Sequence, residues 1–113
     1  MAGCGGMLFE AFYHCFKGDY DLMCEDIDVN EDWLQSLDFC DYDKYLLDVK
    51  KFQPDYLFHI GAHTSLEYCE LNEKDTYETN TTSVVNAVNI SNILNIPIIY
   101  ISTAGIFVGK KIK

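Results

Sequence analysis

The residues best suited to chemistry come first in the chain: Gly3-Cys4-Gly5-Gly6-Met7-Leu8. Glycines at such a loop let the backbone approach a pyrophosphate, and the N-terminus of a following helix favours its negative charge. A loop of this kind works by joining the end of a buried strand to a helix. Only Met1 and Ala2 precede it here, too few for a strand. The far end stops as abruptly, after a buried-looking apolar run and the basic residues Lys110-Lys111-Ile112-Lys113. The chain therefore reads as a piece of a nucleotide-binding enzyme.

The elements that must position this loop alternate short apolar runs with helical stretches, which argues an α/β fold with a parallel sheet. Gly6 to Phe16 reads as a helix, with Met7, Leu8, Ala11, Phe12 and Cys15 at helical spacing. Tyr20 to Cys24 reads as a short strand, followed by the acidic string Glu25-Asp26-Ile27-Asp28. Asn30 to Leu37 reads as a weak helix or loop with Trp33 and Leu37 inward, and Asp38-Phe39-Cys40 as an edge turn. Tyr42 to Phe52 is a second helix, with Tyr45, Leu46, Val49 and Phe52 on one face, and Pro54-Asp55 forces a turn. Tyr56 to Ile60 is a strand ending in Gly61-Ala62-His63-Thr64. Asp75 to Leu94 is the longest helix, and Ile98 to Ser102, apolar and β-branched throughout, is a buried parallel strand with Thr103 just past its end. In open α/β sheets chemistry gathers beyond the carboxyl ends of the strands, and Gly3, Asp26, Gly61 and Thr103 all fall at such ends.

At 113 residues and 49% hydrophobic, the chain is one domain or most of one. A net charge of −10 argues against a nucleic-acid partner. No apolar run reaches the about 18 residues of a spanning helix and no signal peptide is visible, so no membrane association is expected. Five cysteines without a CxxC spacing suit reduced thiols in a cytoplasmic protein. His14, His59 and His63 form no recognisable metal-ligand set with them.

Taken in order, several segments resemble one family, the extended short-chain dehydrogenases/reductases, and within it the dTDP-4-dehydrorhamnose reductases and their sugar-nucleotide relatives. The segments are the glycine loop, Gln53 to Thr64, Asn80-Thr81, and Ile101-Ser102-Thr103 before Gly109. The resemblance implies a Rossmann-like three-layer αβα parallel sheet, incomplete at its first strand and C-terminal part, with residues 1–113 as a partial NAD(P)-binding domain and the substrate domain absent. It also implies a nucleotide-sugar substrate and allows a homodimeric parent.

The resemblance gives residues roles. Gly3 and Gly6 fall on the first two family glycines, with Met7 and Leu8 following at the loop. Phe9 stands where the third glycine belongs. That glycine normally lets helix and strand pack closely; a phenyl ring should push the helix out or shift the loop, unless it simply packs in an altered copy. Asp26, with Asp28 as runner-up, matches the acid that accepts hydrogen bonds from the adenosine ribose, which favours NAD over NADP; a solvated acidic loop is the rival reading. Asp38-Phe39 matches the pair that meets the adenine, or else is a turn aspartate and a core aromatic. Gly61-Ala62-His63 matches the small-residue segment beside the cofactor, with His63 where relatives often carry an aromatic near the nicotinamide ribose. His59 reads as a buried core histidine. Asn80 matches the helix asparagine that helps hold the active site, against a plain polar face with Thr79, Thr81 and Thr82. Thr103 matches the catalytic Ser/Thr that hydrogen-bonds the substrate carbonyl.

The family mechanism is hydride transfer to a 4-keto carbon of a nucleotide sugar, with the proton supplied by a tyrosine whose pKa a lysine lowers. That Tyr-x-x-x-Lys pair is expected beyond Thr103 and is not in this sequence; Tyr13 and Lys17 have the spacing but sit in the first helix. No turnover is expected of the chain alone. An epimerase/dehydratase fragment, a non-catalytic nucleotide-binding homologue and a poorly folding truncation with exposed parallel edges are the competing readings.

Overall fold

The computed structural model describes residues 1–3, 7–27, 29 and 32–101. It is an α/β arrangement with the order α1 (Met7–Phe16), β1 (Cys24–Asp26), β2 (Leu34–Ser36), α2 (Tyr42–Phe52), β3 (Leu57–His59), α3 (Leu66–Leu71), α4 (Glu73–Tyr77), a π-helical turn (Glu78–Thr82), α5 (Ser83–Leu94) and β4 (Ile98–Tyr100). β1 pairs with β2 and β3 with β4, both in parallel.

Ala2 joins the two pairs. It forms parallel bridges to Glu25 of β1 and His59 of β3. Its N–H donates to the Phe58 carbonyl at 2.8 Å and its carbonyl accepts from Ile60 at 2.9 Å. On the other side Glu25 N–H donates to the Met1 carbonyl and Gly3 N–H to the Glu25 carbonyl, each at 2.9 Å. The spatial order is thus β2, β1, Met1–Gly3, β3, β4. No regular strand is described ahead of the glycine loop, as its few preceding residues imply, yet those residues take the place of the central strand.

Side chains alternate across the sheet as the pleat requires. Cys24 and Leu34 face α1 with Phe9, and Trp33, Tyr13 and Ile60 pack around them. Ala2 and Leu57 face the opposite layer, where Tyr45 and Val49 of α2 and Ala87 and Ile90 of α5 close the main core with Leu37 and Phe39. Helices therefore cover both faces.

The helix boundaries have local causes. Asp41 caps α2 by accepting from Lys44 N–H at 3.3 Å. Gln53 ends it in the left-handed region at φ 53°, directly before Pro54, which cannot continue a helix. Asn95 ends α5 in the same way at φ 55°, and Pro97 follows.

Several sequence expectations need correction. The second strand is Cys24–Asp26, not Tyr20 to Cys24, so the acids lie in the strand itself. The stretch expected as a weak helix or loop contains β2, and residues 27–33 link two parallel strands without a described helix. The long helix expected from Asp75 begins at Glu73 and is interrupted by the π-helical turn, and α3 precedes it. Phe9 packs between α1 and the sheet with Cys24 and Leu34. It is fully buried, stacked at 6.3 Å on Trp33, which in turn stacks at 4.0 Å on Tyr13.

Phe9→Ala should therefore cost about 3–5 kcal/mol, the usual range for removing a buried phenyl ring. Urea unfolding followed by the emission of Trp33, the single tryptophan, would show a lower midpoint and a red-shifted native spectrum. An unchanged midpoint would contradict this packing.

Candidate functional site

The site is built where the carboxyl ends of the central strands meet. Gly3 has φ +91°, a conformation that L side chains rarely adopt. A Cβ on Gly3 would lie 2.0 Å from the Gly61 nitrogen, and a Cβ on Gly61 would lie 2.5 Å from Cζ of Phe39 and 3.1 Å from the Gly3 Cα. Both positions are closed to any larger residue. The end of the Met1–Gly3 segment and the end of β3 thus form bare backbone immediately before the entry to α1. A pyrophosphate suits such a place, since backbone and helix N-terminus supply its partners. The contacts that require both glycines are with the protein itself, the Gly61 backbone and the Phe39 ring.

The other expected residues sort around that point. Asp26 ends β1 and is half-buried; its carbonyl accepts from Leu37 N–H at 3.0 Å, tying the ends of β1 and β2 together. The Asp38 carboxylate accepts from Cys40 N–H at 3.0 Å, which makes it a turn-forming group. Phe39 is buried, edge-on to His59 at 5.4 Å and 6.4 Å from the Tyr45 ring, while its carbonyl accepts from Asn86 of α5 at 3.0 Å. Leu8 is exposed and Ala62 is exposed at the site's rim. Gly6, the side chain of Met7, Asp28, Ser102, Thr103 and Gly109 lie outside the described residues.

His63 and Asn80 are brought together. His63 N–H donates to Asn80 Oδ1 at 2.7 Å, and Asn80 Nδ2 donates back to the His63 carbonyl at 3.0 Å. Asn80 sits within the π-helical turn, and such turns recur at functional sites because they re-aim one side chain out of helical register. The His63 Nε2 lies 2.9 Å from Asp75 Oδ2, which also accepts from the Tyr68 hydroxyl at 2.6 Å. The Tyr68 hydrogen bond, with the neighbouring His63, holds the Asp75 carboxyl below its ordinary range. Neither Tyr68 nor Asp75 was expected, because residues on two short helices share no sequence periodicity with a strand end.

Behind the site lie two buried titratable groups. Ser83 gives its hydroxyl proton to the Thr79 carbonyl. Its oxygen is then free to accept from His59 Nε2 at 3.1 Å, so Nδ1 takes the Tyr45 hydroxyl proton at 2.9 Å. This chain of bonds joins α2, β3 and α5 around a neutral imidazole, and burial pushes the His59 pKa down to about 4. Its core role agrees with the sequence reading. Glu25 belongs to the acidic string for which a solvated loop was the rival reading, but the alternation of β1 turns it inward, toward α2. Burial first, then a hydrogen bond and charge repulsion from Asp48, push its pKa up to about 7.

A cavity of about 480 Å³ opens elsewhere, at the amino ends of the strands, with Met23, Pro54, Tyr56 and Leu57 in its wall. It includes none of Gly3, Gly61 or His63. Site and cavity are at opposite ends of the sheet. Among the described residues no group of three or more His, Cys, Asp or Glu side chains could hold a metal ion, and no helix is long and apolar enough to cross a membrane.

With this geometry in place, comparison with known proteins decides the family. The model of the RmlD substrate binding domain matches residues 2–113. The chain belongs to that family. Among solved structures it is similar to a hypothetical dTDP-4-dehydrorhamnose reductase from Sulfolobus tokodaii, at 22% identity and a TM-score of 0.86, covering 97% of this chain and 40% of that one. It is also similar to an L-threonine 3-dehydrogenase from Trypanosoma brucei, at 18% identity and a TM-score of 0.81, covering 90% of this chain and 35% of that one. An ADP-L-glycero-D-manno-heptose-6-epimerase from Helicobacter pylori aligns at 21% identity and a TM-score of 0.76, covering 98% and 40%. These likenesses establish the Rossmann-like fold, and the chain spans 35–40% of the length of these structures. A search of curated proteins returned no significant match.

His59 and Glu25 make opposite pH predictions. The folded His59 binds its proton less readily than the usual 6.5, so its share of stability is present above pH 6.5 and lost as pH falls toward 4. The folded Glu25 binds its proton more readily than the usual 4.5, so its share is present below pH 4.5 and lost as pH rises toward 7. Each is worth on the order of 3 kcal/mol across its window. Relative to wild type, Glu25→Gln should grow less stable on acidification from pH 6.5 to 4.5, and His59→Asn more stable. Urea midpoints across this range check both, and parallel curves for all three proteins would contradict the assignment.

Proposed function

We propose that this chain is the dinucleotide-binding part of an NAD(P)-dependent sugar-nucleotide oxidoreductase, of the kind that reduces a 4-keto nucleotide sugar in the cytoplasm. One observation carries the reading: bare backbone at Gly3 and Gly61, with positive φ at Gly3, at the carboxyl ends of adjacent central strand positions. Membership of the RmlD family supports the substrate class. The nicotinamide would supply the hydride when bound. The chain's own part is to seat the pyrophosphate over Gly3 and Gly61 and to accept the adenosine ribose hydroxyls at Asp26. Ala62, His63 and Asn80 border the nicotinamide side, while Asp38 and Phe39 shape the adenine side. Thr103, past the end of β4, is proposed as the group that hydrogen-bonds the substrate carbonyl.

A carboxylate at Asp26 repels a 2′-phosphate, so NAD is the preferred cofactor. Calorimetric titration should show NADH binding more tightly than NADPH. Asp26→Asn should weaken NADH binding roughly five- to tenfold and narrow the gap between the two cofactors. A folded chain that binds neither, or an Asp26→Asn variant with unchanged preference, would contradict the proposal.

A further inference from the structure

The family resemblance places an aromatic residue where this chain has His63. A phenyl or phenol ring there can only pack or offer one hydroxyl. The imidazole is held far more closely than packing requires. Its backbone is clamped on both sides of one residue by Asn80, at 2.7 and 3.0 Å. Its ring lies 4.7 Å from the Tyr68 ring, and its Nε2 is 2.9 Å from Asp75 Oδ2. Asp75 is fixed in turn by the Tyr68 hydroxyl at 2.6 Å. Three separate segments, α3, α4 and the π-helical turn, thus converge on one residue beyond β3, the first two on its ring and the third on its backbone.

The consequence is chemical. A carboxylate has no proton to give, so the imidazole must donate from Nε2 in either protonation state. That leaves Nδ1 as the atom that can face a ligand, as an acceptor when the ring is neutral and a donor when it is charged. The side chain is 35% exposed, and it stands two positions past Gly61. Other groups that meet it are the Asp75 carboxylate on α4, the Tyr68 phenol on α3 and Cys69 on α3, whose thiol donates to the His63 carbonyl at 3.7 Å.

We infer that Asp75 and Tyr68 are positioning residues that hold the His63 ring with Nδ1 toward the dinucleotide lying across Gly61, so that Nδ1 donates to it only when the ring is charged and cofactor affinity depends on pH through His63. The inference rests on the cofactor reading above and deepens it. The ligand chemistry is an oxygen acceptor on the nicotinamide half of the dinucleotide, and no bond forms or breaks.

Two readouts test it. The first is NADH affinity of the full chain at pH 5.5 and 8.0, for wild type, His63→Phe and Asp75→Ala. Wild type should bind roughly fivefold more tightly at the lower pH, because the charged ring donates from Nδ1 whereas the neutral ring meets the acceptor oxygen with a lone pair. His63→Phe should still bind but without this dependence, and Asp75→Ala should show a shallower one. The second readout needs no ligand: imidazole nitrogen NMR should find neutral His63 protonated at Nε2 in wild type and as a mixture of tautomers in Asp75→Ala. A wild-type pH profile retained in His63→Phe overturns the inference while leaving the cofactor site standing. The Nε2 tautomer in wild type without NADH binding at either pH overturns the cofactor reading and the ligand role of His63 together. A tautomer mixture in wild type removes the positioning role of Asp75.

Discussion

The structure depends on the backbone hydrogen bonds made by Met1–Gly3. Without them the described strands would form separate pairs, β1 with β2 and β3 with β4. Ala2 bonds to β3 through both its N–H and its carbonyl, while Met1 and Gly3 bond to β1. Parallel strands joined this way end at a common level. That is why Gly3, Asp26 and Gly61 meet at one edge although they are far apart in sequence. The same closeness requires Gly3 and Gly61 to be glycine, since a side chain on either would strike backbone or the Phe39 ring.

The layer beneath this edge carries more polar groups than a small core usually tolerates. His59 is kept neutral and uses both ring nitrogens to tie α2 to α5. Glu25 lies on the same side of the sheet with its proton held more firmly than in water. Burying either group in its charged form would be costly. Their demands run in opposite directions with pH, so each offsets the other over the mildly acidic range. The imidazole that the structure commits to the core, His59, is distinct from the one it places at the rim, His63, though only Ile60, Gly61 and Ala62 separate them.

The sequence made the fold class legible, and the reasons are specific. α2 was readable to the residue because Asp41 and Pro54 bracket a clear apolar stripe. The strand at Tyr56 to Ile60 and the turn at Gly61 were readable from a β-rich run ended by small residues. The second strand was misplaced because its residues, Cys24, Glu25 and Asp26, look like a loop. Pairing with Met1–Gly3 and β2 decides that strand, and no local propensity shows it. β2 was hidden for the same reason. The π-helical turn was invisible because an extra residue in a helix leaves the apolar pattern on either side intact. Phe9 broke the glycine pattern, yet Trp33 and Tyr13 supply a stacked pocket that the spacing could not reveal. At the site, single residues such as Asp26, His63 and Asn80 could be named from the resemblance. The Asp75–Tyr68 support could not, because it arises only when α3 and α4 meet His63 in the segment after β3.

The central claim is that a dinucleotide crosses the sheet at Gly3 and Gly61. Backbone amide NMR of the folded chain during titration with NADH tests it most directly. The account predicts the largest shift changes at Gly3, Asp26, Gly61, Ala62 and His63, the residues at the carboxyl edge. Changes concentrated instead at Met23, Gln53 and Tyr56, around the cavity at the amino ends of the strands, with Gly3 and Gly61 unmoved, would contradict it.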